Sequence, residues 1–172
     1  MDLRALIRDI PDFPQPGIVF KDLTPLLLDA RALDAAVVGL AEPVRSLEVD
    51  LVLGAEARGF ILGAALAREL GTGFVPARRP GKLPHETVSA EYALEYGIDA
   101  LEVHADALAH GARVVIHDDL LATGGTAGAL CELVEGLGGE VVLCSFLIEL
   151  SFLDGRRRLA PRPVHGLIDY PA

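Results

Sequence analysis

Residues 112–126 read ARVVIHDDLLATGGT, and no other stretch narrows the possible folds so far. The apolar run through Ile116 is continuous rather than alternating, so the strand it predicts is covered on both faces. Such a strand belongs inside a sheet with helices on either side. The glycines and threonines that follow lead straight into GGTAGALCELVEGLGG, whose apolar spacing predicts a helix. Strand, tight turn and helix make up half of a βαβ unit.

The same rhythm recurs along the chain. VDLVLGAE predicts a short buried strand, RGFILGAALARELG a helix stopping at Gly71, GFVPARR a strand running into basic residues, and EVVLCSFLIEL another strand. GRRRLAPRPVHGLIDYPA reads as a short polar turn and a last strand. Near the start, LRALIRDI has helical spacing and ends at Pro11. PDFPQPGIVFKDLTP holds four of the 11 prolines and predicts a rigid irregular segment. ARALDAAVVGLAEPVRSL predicts a helix kinked or divided near Pro43. PGKLPHETVSAEYALEYG begins with loop chemistry and later alternates, which predicts a long excursion with hairpin character. The class is α/β: one domain over residues 1–172, with a mostly parallel sheet, flanking helices and right-handed crossovers. Ligands of such sheets sit beyond the carboxyl ends of strands, where residues 54–58 and 117–126 fall.

Charge narrows the partners. Fifteen Lys and Arg against 25 Asp and Glu give a formal net charge of −10, which argues against nucleic acid and anionic membranes as partners. Trp is absent, and aromatics are too scarce to stack single-stranded bases. MDLRALIRDI is too polar for a signal peptide, and apolar stretches such as ILGAALA are too short to span a bilayer. Cys131 and Cys144 lack metal-ligand spacing and read as core thiols. The expectation is a cytoplasmic enzyme or small-molecule binder.

Ala122, Thr123, Gly124, Gly125 and Thr126 form a turn in which backbone N–H groups can approach an anion. The first N–H groups of the following helix point outward, and its dipole favours negative charge. A capped strand–helix turn is the plainer reading. Neither a Walker A loop nor a GxGxxG fingerprint is present. Asp118 and Asp119 would repel a bare phosphate, whereas a sugar phosphate satisfies both parts: the turn takes the phosphate and the acids take ribose hydroxyls. A divalent cation nearby would offset the charge further. Arg58 follows a buried strand and opens a helix, where it could grip a diphosphate or simply be a surface arginine. Arg78, Arg79 and Lys82 form a basic turn open to the same two readings.

VVIHDDLLATGGT resembles the binding motif for 5-phosphoribosyl 1-diphosphate (PRPP) of type I phosphoribosyltransferases. DFPQPGIVFKDLTPLL, GAEARGFILG, VPARRPGKLP, YALEYG, LEVHADAL and LIELSFLDGRRRL resemble the adenine phosphoribosyltransferases of that family, in order and over nearly the whole chain. The resemblance implies the type I fold, with a small hood from residues 1–30 and a flexible catalytic loop over residues 80–97. It implies that adenine and PRPP give AMP and diphosphate, with Mg²⁺ bound mainly through PRPP, in a homodimer. Asp118 and Asp119 would then hold the ribose hydroxyls, and residues 122–126 the 5-phosphate. Ala57, Arg58, Arg78, Arg79 and Lys82 would hold the diphosphate, some of them in the neighbouring subunit. The loop at Ala57 often carries a non-proline cis peptide in that family. Glu95 would manage a purine proton, with Tyr96 beside it in the closed loop. Phe20 would stack on the base, Val19 and Lys21 would read its rim through their backbone, and Leu150 would pack on its other face.

Two other readings stand beside this one: transfer to xanthine or hypoxanthine, and a PRPP-sensing regulator without catalysis. His117 stands where the family has an apolar residue. It is either a half-buried strand histidine bonded to a neighbour or a cation that keeps an adjacent acid ionised. His85 stands in a loop where basic residues are usual, as a weak substitute or a tolerated surface change.

Overall fold

The computed structural model describes residues 1–94 and 97–171. A short antiparallel pair comes first, β1 (Arg8–Pro11) with β2 (Val19–Asp22), then α1 (Thr24–Leu28) and α2 (Ala30–Ala41). Next come β3 (Leu51–Ala55), α3 (Gly59–Leu70) and β4 (Gly73–Ala77), followed by an antiparallel hairpin of β5 (Thr87–Leu94) and β6 (Gly97–His104). The chain continues with β7 (Arg113–Leu121), α4 (Gly125–Gly136), β8 (Glu140–Leu150), α5 (Gly155–Leu159) and β9 (Val164–Tyr170).

The central sheet has five strands in the order β4-β3-β7-β8-β9, all parallel. Each strand sends alternate side chains to opposite faces. Leu53, Ile116 and Phe146 enter a core under α4 and the β5–β6 hairpin. Val52, Val115 and Leu147 enter a second core with Leu26, Leu40, Leu62 and Leu66 of α1–α3. Each such side chain is fully buried and contributes about 1.5–3 kcal/mol. The apolar run of β7 is thus covered on both faces, and every strand of the sheet points its carboxyl end the same way.

Three local expectations are corrected. Residues 3–10 do not form a helix: Arg4–Leu6 is a single 3-10 turn, and the chain then extends as β1. The open edge of β2 offers it backbone partners, with Asp9 opposite Lys21 and an ion pair of 2.7 Å between them. The irregular proline segment accordingly ends at β2. The GRRRL segment is a short helix, α5, rather than only a polar turn, because buried Leu159 anchors it to the core. The excursion after Pro80 does not end at Gly97 but runs to His104, because β6 pairs with β5 along its full length. An Arg78–Glu102 bridge ties β6 to the end of β4.

Two other expectations hold, the division near Pro43 and the core thiols. The helix before Pro43 divides: α2 ends at Ala41 and a 3-10 turn takes Glu42–Val44. Asp29 caps α2 by accepting from the Arg31 and Ala32 N–H groups at 2.8 and 3.0 Å. Cys131 and Cys144 are buried core thiols with their Sγ atoms 3.7 Å apart. Among the described residues, no helix is long and apolar enough to cross a membrane.

Candidate active site at the carboxyl edge of the sheet

Two strand-to-helix junctions, β3–α3 and β7–α4, lie side by side because β3 and β7 are neighbours. Between them opens a cleft of about 340 Å³, lined by Arg58, Tyr92, Ala93 and residues 118–127. Both acids and the whole glycine-threonine turn therefore share one wall.

The turn is built by close backbone contact. Gly124 adopts φ +81°, and a methyl group on it would stand 2.7 Å from the Gly155 carbonyl oxygen. A methyl on Gly155 would in turn overlap the Ala122 carbonyl oxygen. Only two glycines allow α5 to sit against this turn. No side chain caps α4, so its leading N–H groups remain available to an anion.

The acids are held at the opposite end of the same wall. Asp119 is buried and Asp118 partly so, and Asp118 Oδ1 accepts from the Asp119 N–H at 2.9 Å. Burial pushes Asp118 well above the usual carboxylate range, and the Asp119 charge adds to the rise. Burial raises Asp119 too, against the pull of Arg58. Arg58 Nε lies 3.2 Å from Asp119 Oδ2, an ion pair whose angle makes no hydrogen bond. The approach depends on Gly59, where a methyl would meet Asp118 Oδ1 at 2.9 Å. Arg58 also lies over the Phe20 ring, 5.0 Å from its centroid, and Phe13 meets that ring edge-on at 5.2 Å. Phe20 is half-exposed and belongs to neither core, so it keeps surface for a flat ligand.

The other expected residues surround this centre without lining the cleft. The Glu56–Ala57 peptide bond is cis. Glu56, unnoticed in the sequence, accepts from Arg78 Nη2 at 3.1 Å and from the Arg79 N–H at 2.8 Å. Those bonds, the Arg79 N–H first, hold its carboxyl below the usual range. The 78–82 turn is thus fastened to the β3–α3 junction, and Arg78 Nη1 donates to the Lys82 carbonyl at 3.3 Å. Lys21 directs its ammonium to Asp9 and over the Tyr170 ring, so its side chain braces the β1–β2 pair. Val19 is exposed on the same β-pair, and Leu150 is half-buried against the α1–α3 core beside Tyr170. Tyr92, on β5, is a cleft residue the sequence reading missed; its hydroxyl lies 3.3 Å from Asp99 Oδ2. Glu95 and Tyr96 lie outside the described residues.

His117 differs from both readings of it. It is fully buried, not half-buried, and neither ring nitrogen meets a hydrogen-bond partner. Burial lowers its pKa to about 4, with the Ser145 backbone opposing the shift. A neutral ring under Gly63 of α3 is not the cation that would keep Asp118 ionised. Exposed His85 faces Asp106 and His104 and is not among the residues lining the cleft.

Comparison with known proteins converges on one family. The family model described as phosphoribosyl transferase domain matches residues 27–162. The adenine phosphoribosyltransferase of Rubrobacter xylanophilus is 59% identical over 169 residues, covering 98% of this chain and 91% of that protein. The crystal structure of adenine phosphoribosyltransferase from Thermoanaerobacter pseudethanolicus superposes with a TM-score of 0.95 at 54% identity, over 98% of both chains. The Saccharomyces cerevisiae enzyme, complexed with an imino-altritol bisphosphate and adenine, gives 0.92 at 38% identity over 97% of each chain.

Proposed function

The chain belongs to the phosphoribosyl transferase family, among its adenine phosphoribosyltransferases, and from that premise we propose how its site works. It is a pentosyltransferase of purine salvage that converts adenine and PRPP to AMP and diphosphate. The observation that carries the site assignment is the single cleft joining two carboxylates to an open backbone turn, with Arg58 between them and Phe20.

The 5-phosphate takes the N–H groups of residues 122–126, and the ribose hydroxyls donate to Asp118 and Asp119. Adenine stacks on Phe20, with the Val19 and Lys21 backbone at its rim and Leu150 toward its other face. N9 forms a bond to C1 of the ribose as the C1–oxygen bond to diphosphate breaks. The electron pair leaves with diphosphate, and the N9 proton passes to a base, a role assigned to Glu95 on the family resemblance. Positive charge developing on the ribose is favoured by the two acids, and the departing diphosphate by Arg58. Closure of the segment from Pro80 to His104, within which Tyr96 falls, excludes water as a competing nucleophile.

Asp118 and Asp119 are the only carboxylates among the described residues lining the cleft, and no cluster of three metal-ligating side chains occurs among those residues. That donor set fits Mg²⁺ held chiefly by PRPP oxygens, with the acids as outer partners. When bound, Mg²⁺ would supply charge neutralisation to the diphosphate. Arg78, Arg79 and Lys82 do not line their own chain's cleft, which supports a homodimer in which this turn serves the neighbouring site. A single domain with a hood from residues 1–30, acting in the cytoplasm, completes the reading.

The test is product formation from adenine, hypoxanthine and xanthine with PRPP, each with and without Mg²⁺. AMP from adenine, dependent on Mg²⁺, is expected. Nucleotide from an oxopurine but none from adenine would overturn the reading, and binding of PRPP without turnover of any base would make the chain a sensor.

A further inference from the structure

The glycine contact between α5 and the turn before α4 places a second feature just outside the cleft wall. Gly155 opens α5, and Arg158 lies one turn further along it. Because Gly124 and Gly155 meet backbone to backbone, Arg158 is brought against the first turn of α4. A methyl on Gly125 would stand 3.6 Å from Arg158 Nη1, and one on Gly128 would stand 3.8 Å from its Nε. The same methyl on Gly125 would meet Tyr92 Cδ2 at 3.5 Å, and Tyr92 is a wall of the cleft. The guanidinium therefore flanks the turn that takes the 5-phosphate.

Its neighbours are committed elsewhere. Arg156 spends its guanidinium on Glu149 through two bonds of 2.6 and 2.7 Å. Arg162 does the same with Glu135, at 2.6 and 2.7 Å. Arg158 makes no ion pair among the described residues, although the chain carries ten more acids than bases. Within the cleft the only cationic side chain is Arg58, already set on Asp119. A phosphate dianion on the turn would otherwise meet backbone N–H groups and two threonine hydroxyls alone.

We infer that Arg158 is a further binding residue of this site, a cation that clamps the 5-phosphate of PRPP and AMP from the α5 side. The inference rests on the site assignment proposed above. Arg157, its exposed neighbour, makes no such contact with the turn and serves as the control.

Calorimetry with AMP, ribose 5-phosphate and adenosine tests it on wild type, Arg158→Gln, Arg158→Lys and Arg157→Gln. Loss of a charge-assisted contact at a half-open site is worth about tenfold in affinity. Arg158→Gln is expected to weaken AMP and ribose 5-phosphate by about that factor and to leave adenosine unchanged. It should also raise KM for PRPP and not KM for adenine. Arg158→Lys should recover most of the loss, and Arg157→Gln should match wild type. Wild-type affinity for AMP in Arg158→Gln, or equal weakening of AMP and adenosine, would overturn the clamp and leave the site assignment standing. A wild-type protein that fails to prefer AMP over adenosine would overturn the phosphate site and the clamp together.

Discussion

The two junctions that build the cleft are made in opposite ways. At β7–α4 the main chain presents itself: glycines, threonines and an uncapped helix start, with no charged side chain in residues 122–126. At β3–α3 the work falls to Arg58, whose guanidinium is held between Asp119 and Phe20. A backbone site is fixed by the fold and cannot turn away. A side-chain site depends on its neighbours and can exchange partners. The first suits a phosphate that stays attached through the reaction, the second a diphosphate that must leave.

Breaking the side-chain junction should cost most. Arg58→Ala is expected to lower kcat/KM by about 10²–10³-fold, as loss of a charge-stabilising donor does, with AMP affinity little changed. Equal losses in AMP affinity and in turnover would mean that the two junctions do not divide their tasks.

Next comes the floor they share. His117 ends the apolar run of β7 and lies under Gly63 of α3. Its folded pKa of about 4 is below the ordinary 6.5, so the unfolded chain takes up the proton first as pH falls. The contribution of His117 to stability is therefore full above pH 6.5 and is lost toward pH 4, by ~3 kcal/mol in all. Urea midpoints at pH 7 and pH 4.5 should show a smaller acid loss in His117→Val than in wild type. Parallel losses would show that the ring does not carry this dependence.

Breaking the backbone junction should rank third. Gly124→Ala puts a methyl against the Gly155 carbonyl at a positive φ, a destabilisation of about 2 kcal/mol. The Tm should drop, and KM for PRPP should rise more than KM for adenine. The smallest effect belongs to the tie between the β3–α3 junction and the 78–82 turn. Glu56→Gln keeps the shape but weakens the grip on Arg78 and the Arg79 N–H, by about 1 kcal/mol. It should raise KM for diphosphate in the reverse reaction by about fivefold and lower the Tm by no more than about 2–4 °C.

The backbone junction was legible in the sequence for the reason that it works: glycine and threonine at fixed places mean main-chain chemistry wherever they occur. The sheet was legible through uninterrupted apolar runs such as that of β7. Side-chain geometry was not. Nothing in the spacing of Glu56 and Arg78, or of Gly155 and Gly124, shows that they touch, because the contacts join distant segments. Tyr92 was hidden within an alternating strand, where its parity alone does not tell cleft from core. Residues 3–10 misled because a helical spacing of apolar residues also fits a 3-10 turn leading into an edge strand. His117 misled because an imidazole in a strand is expected to keep a polar partner or some solvent, whereas the sheet and α3 cover it completely.

Arg58 rests on Asp119 and Phe20, so the cleft contains its own counter-ion. A ligand bearing several negative charges does not meet a bare basic funnel there. It exchanges one anionic partner for another, and few mobile ions need be released to solvent. Ionic strength should therefore affect PRPP affinity far less than the charge of PRPP alone suggests, which suits an enzyme whose remaining surface is strongly acidic.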